Sequence, residues 1–122
     1  MDERRRGGEQ PQSEGEGEGE RSPEVGTVNI VAWVPVRLSD GALVNAVATV
    51  TEAKTQAIRA LGLEATGTAT DAVCVLCPLD GPVADYGGPR STWGARLARA
   101  AYAAVFAGGA GTQAWSDRVS GR

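Results

Sequence analysis

At 122 residues the chain has room for one domain, and its lack of any histidine excludes Ser-His-Asp and Cys-His catalysis together with the commonest metal ligand. Its net charge of −3 sits in one place: eight carboxylates and four arginines precede Val25, so the rest of the chain is close to neutral at about +1. Without clustered Lys and Arg on that remainder, a nucleic-acid surface is not expected.

Residues 1–24 hold no apolar side chain after Met1 and read as a disordered acidic Glu/Gly-rich tail. Arg4 to Arg6 lack the apolar stretch of a secretory signal, and the many acids do not suit a transit peptide. No run of about 18 apolar residues exists to cross a membrane. A cytoplasmic protein with reduced cysteines is the expectation.

Residues 25–109 form the expected α/β domain. Residues 27–34 (TVNIVAWV) are short, apolar and β-branched, as in a buried strand, and Pro35 limits their pairing. Ser39 and Asp40 offer an N-cap for a helix reaching Leu61, with Gly62 as its stop. Residues 72–77 (AVCVLC) make a second strand, closed by Pro78. A loop with Gly81, Pro82, Gly87, Gly88 and Pro89 follows. Ser91 or Thr92 then caps a second helix over 93–107, which Gly108 and Gly109 end, leaving 110–122 as a frayed C-terminus. Strand, helix, strand, helix predicts parallel neighbours. Two strands, each apolar on both faces, leave edges open. The unit is therefore expected to complete a larger or shared sheet, as a homo-oligomer or with a missing N-terminal half.

On a helical wheel, Leu43, Val47, Val50, Ala57, Ile58 and Leu61 share one stripe, and Asn45, Thr49, Glu52, Gln56 and Arg59 oppose it. Lys54 falls inside the apolar stripe beside Thr51. A lysine aimed at a core must snorkel past the helix edge, pair with a carboxylate, or lose its proton. Glu52 points the other way, because residues two apart do not share a face. The run Thr66-Gly67-Thr68-Ala69-Thr70-Asp71 is either a plain connector or a place where backbone N–H groups meet an anion or a carbonyl oxygen. Gly88 to Thr92, with Arg90, opens the second helix and either caps it or receives an anion. Cys74 and Cys77 lie three apart on one strand, point to opposite faces and read as buried structural residues. No metal site is expected.

Taken together these pieces resemble the adenosylcobinamide amidohydrolases of corrinoid salvage. The matching stretches are Gly26-Thr27-Val28-Asn29-Ile30, Leu43-Val44-Asn45-Ala46-Val47, Thr51-Glu52-Ala53-Lys54-Thr55, Thr66-Gly67-Thr68 with Thr70-Asp71, Tyr86 with Gly88-Pro89, and Trp93-Gly94 leading into Arg99-Ala100-Ala101-Tyr102. They span residues 26–105 and resemble the C-terminal half of the family; the tail stands where its N-terminal half would be. The resemblance implies hydrolysis of the amide joining aminopropanol to a corrin side chain, giving adenosylcobyric acid for cobalamin synthesis. The corrinoid is then the substrate, no cofactor is needed, and cobalt belongs to the substrate. It singles out Lys54, Asp71 and Thr68 for catalysis: a partly buried charged pair that positions or activates water, with Thr68 or neighbouring N–H groups holding the oxyanion. Asn45, Thr51, Glu52, Thr66, Gly67, Thr70 and Arg90 are the substrate-binding candidates. Parallel strands place the Thr66–Asp71 loop at one end of the sheet, with Asn45 and the Gly88–Thr92 turn at the other. A non-catalytic module that binds a corrinoid or serves assembly is the alternative.

Overall fold

A computed structural model describes the backbone of residues 26–119 and the side chains of residues 26–110. The acidic tail over 1–24 lies outside the described residues. The elements are β1 (Asn29–Trp33), β2 (Arg37–Leu38), α1 (Asp40–Ala60), β3 (Ala72–Leu76), β4 (Val83–Ala84) and α2 (Thr92–Val119). The expected strand-helix-strand-helix order is present, and β1 pairs with β3 in parallel with Val31 beside Cys74 and Trp33 beside Leu76.

Two short strands escape the sequence reading. Each main strand passes a proline, Pro35 or Pro78, and resumes as β2 or β4, which also pair in parallel. Val34 N donates to Leu76 O at 2.9 Å and Ser39 N to Ala84 O at 3.1 Å, so backbone pairing continues beyond both bends. Two-residue strands carry no periodic signal, and a proline ends only the ladder that needs its missing N–H.

Helix α1 begins as its sequence dictates: the Ser39 hydroxyl accepts from Ala42 N at 3.1 Å. Its end is equally local. Gly62 has φ +89, its N–H donates to Arg59 O, and Leu63 N donates to Ile58 O, which together satisfy the last carbonyls. The buried face differs from the expected stripe. It consists of Ala42, Ala46, Thr49, Val50, Ala53, Lys54, Ala57 and Ile58, whereas Val47 is exposed. Large side chains drew the expected stripe, but α1 meets α2 through its alanines, which let two helices approach closely around Leu97 and Ala101. Thr49 is buried because its hydroxyl donates to Gly87 O at 2.7 Å.

Helix α2 does not stop at Gly108 and Gly109. It runs to Val119 through most of the stretch expected to fray, and residues 120–122 lie outside the described residues. A Cβ on Gly109 would strike the Leu61 side chain, so this glycine serves the contact between the two helices and not a helix end. The Ser91 hydroxyl caps α2, accepting from Gly94 N at 3.0 Å while donating to Gly88 O at 2.7 Å.

Both helices cover one face of the β1–β3 pair. Ile30, Ala32, Val73 and Val75 pack inward on the core. Among the described residues nothing covers the other face, where Val31 is 71% and Trp33 60% exposed. Cys74 is exposed there too, and not buried as expected; Cys77 is half-buried, with Leu38 N donating to its sulfur at 3.5 Å. Each strand is thus apolar on both faces but covered on one.

Candidate functional site

Parallel strands begin at the same end, so Val28, just before β1, lies beside Asp71, just before β3. Asp71 gathers four donors. Its Oδ2 accepts from Lys54 Nζ at 2.6 Å and from Thr68 N at 3.0 Å. Its Oδ1 accepts from Val28 N at 2.9 Å and from the Thr68 hydroxyl. Lys54 reaches it from the middle of α1, and the two side chains are only 8% and 10% exposed. Of the three possibilities open to a core-facing lysine, the structure selects the ion pair. Burial alone would raise the Asp71 pKa. The Lys54 ammonium, then the Thr68 hydroxyl and N–H, then the Val28 N–H together outweigh it and hold the carboxyl well below the ordinary carboxylate range.

This arrangement limits the chemistry. A carboxylate with four donors and a depressed pKa is a poor base, so Asp71 is unsuited to take a proton from water. Both Thr68 donors end on Asp71, so neither is left for an oxyanion. Among the described residues the Gly67 N–H has no protein acceptor. Gly67 lies against the ion pair so closely that a Cβ there would fall on Asp71 Oδ2 and Lys54 Nζ. The space expected to admit a ligand beside Gly67 is, on that side, filled by the pair.

The other threonines finish the loop. The Thr70 hydroxyl donates to Thr27 Oγ1 at 2.8 Å, Thr27 Oγ1 donates to Thr70 O at 3.1 Å, and Thr70 N donates to Thr68 Oγ1 at 3.3 Å. Thr66 contributes its carbonyl, which accepts from the Thr55 hydroxyl at 3.4 Å. Thr27 and Val28 were missed as site residues; the signal was their place at the strand end that Asp71 shares.

A cleft of about 810 Å³ opens beside this cluster. Its walls are largely apolar, with Ile58 and Leu61 from the end of α1 and Ala104 and Val105 from α2. Thr27, Gly67 and Thr68 supply its polar atoms where the strands begin. The remaining candidates lie elsewhere. Thr51 and Glu52 are exposed on α1, and the Thr51 hydroxyl donates to Val47 O within the helix. Asn45 and Arg90, both exposed, line a separate hollow of about 520 Å³ with Tyr86 and Ser91. The two ends of the sheet are thus distinct, as the parallel topology requires. Arg96 stacks on Trp93, 4.5 Å from the ring centre, and is engaged in packing α2. Among the described residues no helix is long and apolar enough to cross a membrane.

Comparison with known proteins agrees with the motif set and extends it. The family model for adenosylcobinamide amidohydrolase (CbiZ) matches residues 3–117, a wider stretch than the motifs span. An uncharacterized protein, MJ1613 of Methanocaldococcus jannaschii, is 39% identical over 91 residues, covering 68% of this chain and 35% of that protein. The chain thus spans about a third of the length of that relative. No solved structure matches. On the strength of that match, over nearly its whole length, the chain belongs to the adenosylcobinamide amidohydrolase family.

Proposed function

We propose that the Lys54–Asp71 end of the sheet is where this chain takes part in hydrolysis of the adenosylcobinamide side-chain amide. Water adds to the carbonyl carbon, the C–N bond breaks, and the products are adenosylcobyric acid and aminopropanol or its phosphate. The observation that carries the reading is the buried Lys54–Asp71 pair beside an apolar cleft, in a chain of this family. An apolar cleft with few polar groups suits a large ring rimmed by amides.

In this reading Asp71 and Thr68 position the loop and do not transfer protons. Gly67 lines the cleft, and its N–H, with no protein acceptor among the described residues, serves as the donor for the carbonyl oxygen as it becomes an oxyanion. Lys54, behind Gly67, adds positive charge near that oxygen while anchoring the loop through Asp71. Removing one oxyanion donor lowers kcat by about 10²–10³ in comparable sites, which bounds the loss expected when its support is removed.

Turnover of adenosylcobinamide, followed by chromatography of the acid product, tests this with Lys54→Met, Asp71→Asn and, at the far end, Arg90→Ala. The first two should lose kcat with little change in KM, while Arg90→Ala retains turnover. Folded Lys54→Met protein with wild-type kcat would overturn the reading. A second reading, a non-catalytic corrinoid-binding or assembly module, draws on the depressed pKa of Asp71, which makes it a poor base. Corrinoid binding by the wild-type chain without any amide cleavage would favour it.

A further inference from the structure

The cleft is lined by six successive residues, Gly26 to Val31, together with the helix residues opposite. Alternate residues of a strand face opposite sides of its sheet, so only a strand edge presents all of them to one cleft. Among the described residues β1 pairs with β3 alone, which leaves its other edge open. Ala72 N donates to Val28 O and Val34 N donates to Leu76 O, which places the even-numbered groups of β1 toward β3. The N–H and C=O groups of Asn29, Val31 and Trp33 therefore point off the sheet, along the cleft.

Exposed edges are normally blunted by charge or proline, yet residues 26–33 (GTVNIVAW) contain neither. The chain's own residues 1–24 lack both β-branched and aromatic side chains, so they make a poor strand to fill the place. A second copy offers the same neutral, β-branched edge. Its register is self-consistent: with a two-fold axis at Val31, Asn29 lies opposite Trp33 of the other copy and Val31 opposite Val31. Every outward-facing group then meets another outward-facing group, whereas a one-residue slip would oppose it to a group already bonded within its own sheet.

We propose that β1 pairs antiparallel with β1 of a second copy about an axis at Val31, giving a four-stranded sheet in the order β3-β1-β1-β3. The second copy then walls the cleft along the strand, and its Pro35 comes to lie opposite Thr27. The interface is isologous, as a closed dimer requires.

Sedimentation equilibrium of the full chain across the micromolar range should show a monomer–dimer equilibrium. Val31 is 71% exposed, so Val31→Lys and Val31→Glu leave the core untouched. Each alone sets like charges against each other at the axis and should weaken the dimer roughly tenfold or more. Mixing the two variants should restore association, because lysine then faces glutamate. Hydrogen exchange on the wild-type chain gives a reading without mutation. Amides of Asn29, Val31 and Trp33 should gain protection with rising concentration, while those of Ile30 and Ala32 are protected throughout. A wild-type monomer at every concentration, folded variants that dimerise like wild type, or a mixture that stays monomeric would each overturn the proposal. A monomer whose Val31 amide is protected only by an added strand peptide would assign the edge to another polypeptide, which also overturns it.

Discussion

Asp71 joins four parts of the molecule with one carboxylate: α1 through Lys54, the loop through two Thr68 donors, and the start of β1 through Val28. Lys54→Met removes the charge that balances a buried carboxylate and should cost about 3–5 kcal/mol, read by chemical denaturation. Adding Asp71→Asn to that variant removes the stranded charge, so the double mutant should be more stable than Lys54→Met alone. Equal or additive losses would show that the pair contributes little. The pH dependence follows from the same geometry. The folded-state pKa of Asp71 lies below its unfolded value of 3.8, so at acid pH the unfolded chain binds the extra proton. Its contribution is complete well above 3.8 and declines as pH falls below that value. Melting curves between neutral and acid pH should therefore lose less stability in Asp71→Asn than in wild type; parallel losses would contradict the assignment. Gly67→Ala should be destabilising for a different reason, since its methyl must displace either Lys54 or Asp71.

At the scale of elements, local chemistry explains the ends of α1 and packing explains its face. Gly62→Ala places a Cβ in the left-handed region at φ +89 and should cost about 1–2 kcal/mol. Ser39→Ala should cost about 1 kcal/mol through the lost N-cap. The neighbouring glycines of α2 make a sharper comparison. A Cβ on Gly108 meets open space, so Gly108→Ala should raise the melting temperature by improving helix propensity, worth about 0.5–1 kcal/mol. On Gly109 the same atom meets Leu61, which must turn out of the way, and the gain should vanish or reverse. Matching shifts for the two substitutions would show that the α1–α2 contact at Leu61 is loose.

At the largest scale, the decisive feature is that, among the described residues, helices cover one side of the sheet and leave the other open. Val31, Trp33, Cys74 and Leu76 stand together on the bare side. Pairing through the β1 edge extends this surface and does not bury it. Native-state alkylation followed by peptide mapping should therefore label Cys74 quickly and Cys77 slowly, at any protein concentration. Protection of Cys74 that grows with concentration would place association on the sheet face and not on its edge. The same architecture sets the two ends of the sheet apart, with Asn45 and Arg90 in one hollow and the Lys54–Asp71 cluster beside the other.

The α/β order, the parallel pairing and the caps at Ser39 and Gly62 were legible in the sequence, because each depends on residues close together along the chain. The lack of histidine and the family were legible for a similar reason: composition and ordered short motifs need no coordinates. Three things required the tertiary structure. Lys54 could have snorkelled or paired, and only the packing of α1 on β3 brings it to Asp71, 17 residues away. Gly67 and Gly109 read as ligand space and as a helix stop, yet each is set by what packs against it, the ion pair in one case and Leu61 in the other. Thr49 and Val47 exchanged places between surface and interior, because the fit of alanines between two helices, and not the size of single side chains, decides which face of α1 is buried.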